Sequence, residues 1–392
     1  MSPEVSLQDE AAETAPRAKV EFHRHSIGAE EKEAVSRVLD SLFLTTGQEA
    51  YTFESEFAAF LGVPHVVGVS SCTAAEHLAL LAFDIGPGDE VITTAMTFVA
   101  TATAILHAGA TPVFVDAEPT TGNIDARLIE AAITPRTRAI VAVHLYGTMC
   151  DMPALRAIAD RHGLMLIEDA AHCVEGARDG IGVGHLGDAT CFSFYATKAL
   201  TSGEGGAVAV KDGRIAERLR TIRLHGMSKN AADRYHGAYQ HWDMVELGYK
   251  CNLTNIQAAM LRPQLPRLHA QRDRREQVAQ AYDRVVDATP GLSRPAVPDG
   301  VRSARHLYTV WSTDGRRDDV IRALGEQGVG CAVNYRAIHR LTWLAANVEQ
   351  RFPLPEAERI GDQTVSLPIY DKLTDAEVER VGAALHAAAH GD

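Results

Sequence analysis

The sequence predicts an α/β protein, with a large domain built on a mainly parallel sheet sandwiched by helices and a smaller C-terminal α+β domain. Three observations carry this. Between residues 66 and 210, short β-branched runs alternate with segments of helical apolar spacing, the pattern of βαβ units. The run Leu164-Met165-Leu166-Ile167 is apolar without alternation, as in a strand covered on both faces. A long helical stretch, broken near Pro263 or Pro266, then ends the alternation. The expected division is an N-terminal tail at 1–24, partly disordered, a large domain at 25–265 and a small one at 266–392.

The elements follow in order. Residues 27–39 have helical apolar spacing with acids early, where the helix dipole favours them. Leu44-Thr45-Thr46-Gly47 is a turn, and 53–61 is a second amphipathic helix. A short strand at 66–71 runs into Cys72-Thr73-Ala74-Ala75 and a helix through Leu80. Small polar residues between a strand and a helix start can bind phosphate through free N–H groups and the dipole. Ser71 or Thr73 could equally be an ordinary N-cap. Gly86-Pro87-Gly88-Asp89-Glu90 turns the chain into the strand Val91-Ile92-Thr93, and 96–101 opens the next helix. Strands are expected at 111–116 and 139–144, and helices at 124–133 and 152–162.

The strand that starts at Leu164 ends in Asp169, with His172 just beyond. Ligands gather at the carboxyl ends of strands in open α/β sheets. Asp169 is therefore a ligand-facing acid or a helix cap, and His172 a packed or a functional histidine. After a loop at 182–187, an apolar and aromatic run from Cys191 to Tyr195 leads to Lys198 and the cluster Gly203-Glu204-Gly205-Gly206. A lysine held among apolar residues loses hydration, and its pKa falls. In neutral form it can attack an aldehyde and form a Schiff base. A strand at 206–210 and a charged helix at 214–224 follow. Residues 225–242 are polar and irregular, the mark of a functional or mobile loop. A helix starting in 248–260 should continue into 268–286. The C-terminal part carries strands near 306–311 and 330–335 and helices at 318–327 and 375–389.

Composition narrows the function. A net charge of −13 over 392 residues leaves no basic stripe for nucleic acid. No apolar run approaches a membrane span. Residues 1–18 are acidic and alanine-rich, without the apolar segment of a signal peptide. The six cysteines form no CxxC pair and several sit in apolar runs, which reads as buried thiols in a reducing, cytoplasmic setting. The glycine cluster lacks the GxGxxG spacing of a dinucleotide fold.

Taken together, Leu44-Thr45-Thr46-Gly47, Ser70-Ser71-Cys72-Thr73-Ala74-Ala75, Gly86-Pro87-Gly88-Asp89-Glu90-Val91, Thr97-Phe98-Val99-Ala100-Thr101, Glu168-Asp169-Ala170-Ala171-His172, Phe192 to Lys198, Gly203 to Gly206 and Gly248-Tyr249-Lys250 form one ordered set. With it the sequence resembles the pyridoxal phosphate-dependent sugar aminotransferases of the DegT/DnrJ/EryC1/StrS family, of fold type I in the aspartate aminotransferase superfamily. The resemblance runs from about His25 to the C-terminus.

The resemblance implies pyridoxal 5'-phosphate as cofactor, with Lys198, Asp169 and His172 as catalytic residues. Lys198 would carry the cofactor as a Schiff base. Asp169 would keep the pyridine nitrogen protonated, and His172 would lie near the phenolic oxygen. Phe98 would stack on the ring, and Thr73, Ala74 and Ser193 would hold the phosphate. Asn252 would reach that phosphate from the partner subunit of a homodimer. Tyr195, His339 and Lys229 would bind substrate, with Arg234 beside Lys229 in a basic loop suited to a nucleotide diphosphate. Lys250 stands where many relatives have asparagine, and Ala199 replaces a common asparagine after the lysine. The implied reaction moves an amino group from an amino acid, by analogy L-glutamate, to a nucleotide-activated keto-sugar. In the family, Gly-Glu-Gly-Gly after the lysine goes with amination at C4, and Gly-Asp-Gly-Gly with C3. A C3-keto-sugar or keto-cyclitol substrate is the alternative, and a catalytically silent regulatory protein the alternative of another class. A dehydratase of this family would carry histidine in place of Lys198.

Overall fold

Seven strands make the central sheet of the computed structural model, which describes residues 18–228 and 241–391. They are β1 (His65–Val69), β2 (Glu90–Thr94), β3 (Thr111–Val115), β4 (Thr137–Val143), β5 (Met165–Asp169), β8 (Ala189–Ser193) and β9 (Gly206–Val210). The short strands β6 (Ala177–Arg178) and β7 (Ile181–Gly182) lie between β5 and β8 in the chain and form a separate ribbon with β11 (Val301–Arg302). The sheet order is β1-β9-β8-β5-β4-β2-β3. The β2–β3, β2–β4, β4–β5 and β5–β8 pairs are parallel, and β9 runs antiparallel to both β8 and β1.

Neighbouring strand residues face opposite ways and feed two cores. Ile92, Ile140 and Leu166 enter one, while Val91, Val141 and Ile167 enter the other. Helices cover both faces, as an all-apolar sheet requires. The first core takes α2 (Gln48–Leu61), α5 (Ala126–Ala132), α6 (Met152–His162) and α8 (Asn255–Leu261), and the second takes α3 (Cys72–Ala82), α4 (Val99–His107) and α7 (Gly213–Ile222). The helix α1 (Ala29–Leu39) rests on α8 through Ala34 and Val38. Buried Phe53 and Phe57 of α2 meet Phe192 and Phe194 edge-on, with centroids 5.1 to 5.7 Å apart. Phe192 and Phe194 thus hold the end of β8 on the α2 side, and the alternation turns Ser193 toward α3.

The C-terminal unit is built on α9 (Leu268–Asp287) and a sheet of β10 (Leu292–Ser293), β12 (Tyr308–Ser312) and β13 (Thr364–Leu367). It is completed by α10 (Arg317–Glu326), α11 (Thr342–Asn347), α12 (Pro355–Gln363) and α13 (Asp375–His390). Its core includes Tyr282, Val310, Leu324, Val365 and Leu385. A 3-10 turn over Arg262–Arg267, holding Pro263 and Pro266, separates α8 from α9.

Three expectations change. Residues 18–24 are not a loose tail: Val20 is buried and bridges Val329, with its N–H 2.9 Å from Gly328 O. The 330–335 segment is not a strand, because its only ladder contact is one bridge, Ala332 to Ser366. The helix expected within 248–260 starts only at Asn255, where Thr254 and Gln257 form a capping box. Residues 249–252 instead run beside other segments, with Lys250 bridging Leu224 and Asn252 bridging Val69. No helix among the described residues is long and apolar enough to cross a membrane.

Candidate active site

The carboxyl ends of the parallel strands open on one cavity of about 560 Å³, whose lining includes Thr73, Phe98, Asp169, His172, Ser193, Tyr195 and Lys198. β5 ends in Asp169. Its Oδ2 accepts from Thr101 Oγ1 at 2.9 Å and its Oδ1 from the Ala171 N–H at 3.0 Å. The two donors hold the carboxyl group in one orientation at the strand end.

Lys198 ends a turn after β8, with its N–H 2.9 Å from Tyr195 O. Burial pushes its amine down to about 8, against the opposing pull of Cys72 and Asp169. The Nζ lies 3.4 Å from His306 Nε2. Burial also takes His306 and His172 well below the usual imidazole range, and the nearby Lys198 charge adds to this. Both rings are therefore neutral near pH 7. His172 Nδ1 accepts from the Tyr146 N–H at 3.3 Å, which leaves the proton on Nε2, 3.0 Å from Tyr335 Oη.

The glycine cluster after Lys198 has a steric cause. Gly203 and Gly205 take φ of 81° and 154°, open to glycine at little cost. A Cβ on Gly206 would stand 2.6 Å from Ser71 O and 2.7 Å from Phe192 O. That close approach sets the start of β9 against the start of α3, and Thr73 and Ser193 both line the cavity. Thr73, the second residue of α3, has no intrahelical acceptor for its N–H. Ala74 differs: its N–H donates to the Ser71 cap at 3.1 Å. Ala74 is also absent from the cavity lining. At this strand–helix junction Ser71 is the cap, and Thr73 lines the cleft.

The donor set fits a phosphorylated pyridine aldehyde. An amine, a carboxylate braced by two donors, a helix N-terminus and two hydroxyls surround one space. Phe98, 55% exposed at the mouth, stands 5.6 Å from the Tyr335 ring.

The remaining expected residues are elsewhere. His339 is buried outside this cavity, held by Glu358 at 3.0 Å, so the fold does not bring it to the cleft. Asn252 does not line the cavity of its own chain. Its Nδ2 donates to Thr46 Oγ1 at 2.7 Å and its Oδ1 accepts from Lys250. Lys229 and Arg234 lie outside the described residues. Sequence reasoning missed His306 and Tyr335, which arrive from the C-terminal unit, and Phe22 and His23 from the N-terminal segment. His306 is placed by its N–H, 3.1 Å from Tyr146 O. No local motif marks it. Thr101 did carry a signal, as the fourth residue after Thr97 at the start of a helix.

Comparison with known proteins agrees with this geometry. The chain matches the DegT/DnrJ/EryC1/StrS aminotransferase family over residues 25–386. It is 43% identical to the spore coat polysaccharide biosynthesis protein SpsC of Bacillus subtilis (strain 168) over 363 residues, 91% of this chain and 93% of SpsC. Its fold is similar to that of DesV from S. venezuelae, with 37% identity, a TM-score of 0.88, and 95% and 99% of the two chains covered. It is also similar to Spr1654 of Streptococcus pneumoniae in its PLP form, with 28% identity, a TM-score of 0.89, and 95% and 99% covered. The cofactor is pyridoxal 5'-phosphate. With the family covered almost end to end and the Lys198 amine, the Asp169 carboxylate and the Thr73 and Ser193 hydroxyls lining one cleft, the chain belongs to the DegT/DnrJ/EryC1/StrS family of pyridoxal phosphate-dependent sugar aminotransferases.

Proposed function

We propose that the protein transfers the amino group of L-glutamate to the C4 keto carbon of a nucleotide-activated sugar, in two half-reactions. The observation that carries the reading is the convergence of the Lys198 amine and the braced Asp169 carboxylate on one cavity.

When bound, pyridoxal phosphate supplies an electron sink for negative charge at the donor's Cα. Asp169, held by Thr101 and Ala171, keeps the proton on the ring nitrogen. Lys198, with its pKa near 8, is the general base that takes the Cα proton and delivers it at C4′. The same amine carries the proton in the reverse direction when the sugar enters. Thr73 and Ser193 hold the phosphate, Phe98 covers one ring face, and neutral His172 sits beside the phenolic oxygen. Tyr195, exposed at the mouth, meets the substrate.

The C4 assignment rests on Gly203-Glu204-Gly205-Gly206, whose Glu204 lines the cavity. Among the described lining residues, Lys198 is the only lysine or arginine. The anionic groups of a nucleotide sugar therefore need cations from elsewhere. Lys229 and Arg234 of the basic loop, and a second copy of the chain, are the sources this reading assigns. Six cysteines without a disulfide support a reducing cytoplasm as its location.

The test is direct. Purified holoprotein should absorb in the visible and bleach with L-glutamate, and the bleached form should aminate 4-keto nucleotide sugars in a mass-resolved panel. Amination of 3-keto sugars instead would move the position, and a protein that stays colourless with added cofactor would end the reading.

A further inference from the structure

A second carboxyl lies behind Asp169, and the reaction as described does not use it. Glu76 is four residues after Cys72 on α3, so the two side chains share the helix face that meets the end of β5. Glu76 is 2% exposed and lines the cleft. The Cys72 Sγ is 3.9 Å from Glu76 Oε1 and 3.9 Å from Asp169 Oδ1. One ligand atom from each of the three groups lies within 4.8 Å of the others. Glu76 Oε2 is buried without a hydrogen-bond partner. Among the described residues no lysine or arginine pairs with it.

Two carboxyls and a thiol this close, in a buried site, cannot all ionise. Asp169 already accepts from two donors. Glu76 has none of comparable strength: burial first, and then the Asp169 charge, push its carboxyl well above the usual range. The Cys72 thiol is raised by the same two causes, in the same order. The proton shared by the two carboxyls therefore belongs on Glu76. A neutral acid beside a carboxylate has one stable arrangement, with its O–H directed at the charged oxygen.

We propose that Glu76 is a positioning residue, a neutral acid whose O–H donates to the Asp169 carboxylate and so fixes that carboxylate, charged, toward the cofactor's ring nitrogen. The proposal rests on the assignment of Asp169 to that nitrogen. It gives Asp169 a third donor beside Thr101 and Ala171. It also gives the buried Oε2 a use, since one carboxyl oxygen must carry the proton.

The test measures pyridoxal phosphate binding to apoprotein and infrared absorption of the loaded protein, without turnover. E76Q keeps a neutral donor and should bind within about twofold of the wild type. E76L removes it and should bind about tenfold more weakly, the loss expected for one hydrogen bond to a charged group. The infrared difference between wild type and E76Q should contain a protonated carboxyl band, and D169N should keep that band. Binding by E76L as tight as wild type, or a difference spectrum with only carboxylate bands, overturns the proposal. If E76L does not fold, the E76Q spectrum decides alone. D169N separates the two readings: unweakened cofactor binding in D169N would overturn the Asp169 assignment itself, whereas weakened D169N with unchanged E76L overturns only the role of Glu76.

Discussion

Lys198 owes its reactivity to where it is held. Its Nζ has a neutral imidazole at 3.4 Å and, among the described residues, no carboxylate in an ion pair, and burial lowers its pKa from 10.5 to about 8. The neutral amine attacks the aldehyde, so the rate at which apoprotein takes up pyridoxal phosphate should rise with pH and reach half its plateau near pH 8. Stopped-flow absorbance measures this, and a rate still climbing above pH 10 would mean an ordinary solvated lysine. Asp169 is the complementary case. Asp169→Asn keeps the shape and one acceptor oxygen for Thr101 or Ala171, so the melting temperature should move little. Turnover should fall about 10²- to 10³-fold, the usual loss when a preorganised electrostatic partner is removed. A mutant that merely unfolds would assign Asp169 to the fold. These residues were legible because each closes a local pattern: an acid ends an apolar strand, a lysine follows an aromatic run. His306 and Tyr335 were not, because their side chains enter from the C-terminal unit through tertiary contacts that leave no local trace. His339 shows the converse, a residue the family pattern suggests and Glu358 holds elsewhere.

At the scale of elements, the end of β5 is fastened by the residue just before Asp169. Glu168 is fully buried, 2.9 Å from His144 Nε2, and accepts from the Gly187 and Gly184 N–H groups at 2.8 and 3.2 Å. Burial works against its ionisation, but His144 and the two glycine N–H groups prevail and its pKa lies below 4.5. The unfolded chain thus binds this proton more tightly than the folded one. The stabilisation is present above pH 4.5 and is lost as pH falls through the lower folded value. Glu168→Ala should cost about 3–5 kcal/mol at neutral pH, the range for breaking a buried pair. In acid, where the wild type has lost the same contribution, the gap should narrow. Urea melts at both pH values measure it, and a gap independent of pH would show that packing, not charge, is lost. The strands of the large domain were readable because an all-apolar run has few alternatives in a covered sheet. The start of α8 was not, because Gly248 to Leu253 has helical apolar spacing yet its backbone bonds to other segments: Tyr249 N–H to Ile222 O and Cys251 N–H to Arg223 O.

For the whole molecule, the same misread segment points to assembly. Leu42 and Leu247 are 78% and 71% exposed, and Leu44, Met244 and Val245 are also exposed. The 42–46 turn and the 244–255 segment are tied together, since Asn252 donates to Thr46 and the Asn255 side-chain amide donates to Phe43 O at 2.9 Å. Exposed apolar side chains on two segments tied together in this way mark a contact surface. The cleft supplies a physical reason for a second chain, because Lys198 is the only lysine or arginine in its described lining. On the function proposed above, a second copy seats on this face and its Lys250 and Asn252 serve the neighbouring cavity as a cation and an amide for phosphate. Sedimentation equilibrium should therefore give twice 42.3 kDa. The double variant Leu42→Asp and Leu247→Asp should sediment as a folded monomer that binds pyridoxal phosphate at least about tenfold more weakly, by the loss of one charge-assisted contact. The apolar residues were visible in the sequence, but whether the fold would cover them was not, since that depends on where the turn and the irregular segment meet. A monomer with undiminished cofactor affinity would mean that each cleft is complete in one chain, and its missing cation would then have to come from the basic loop alone.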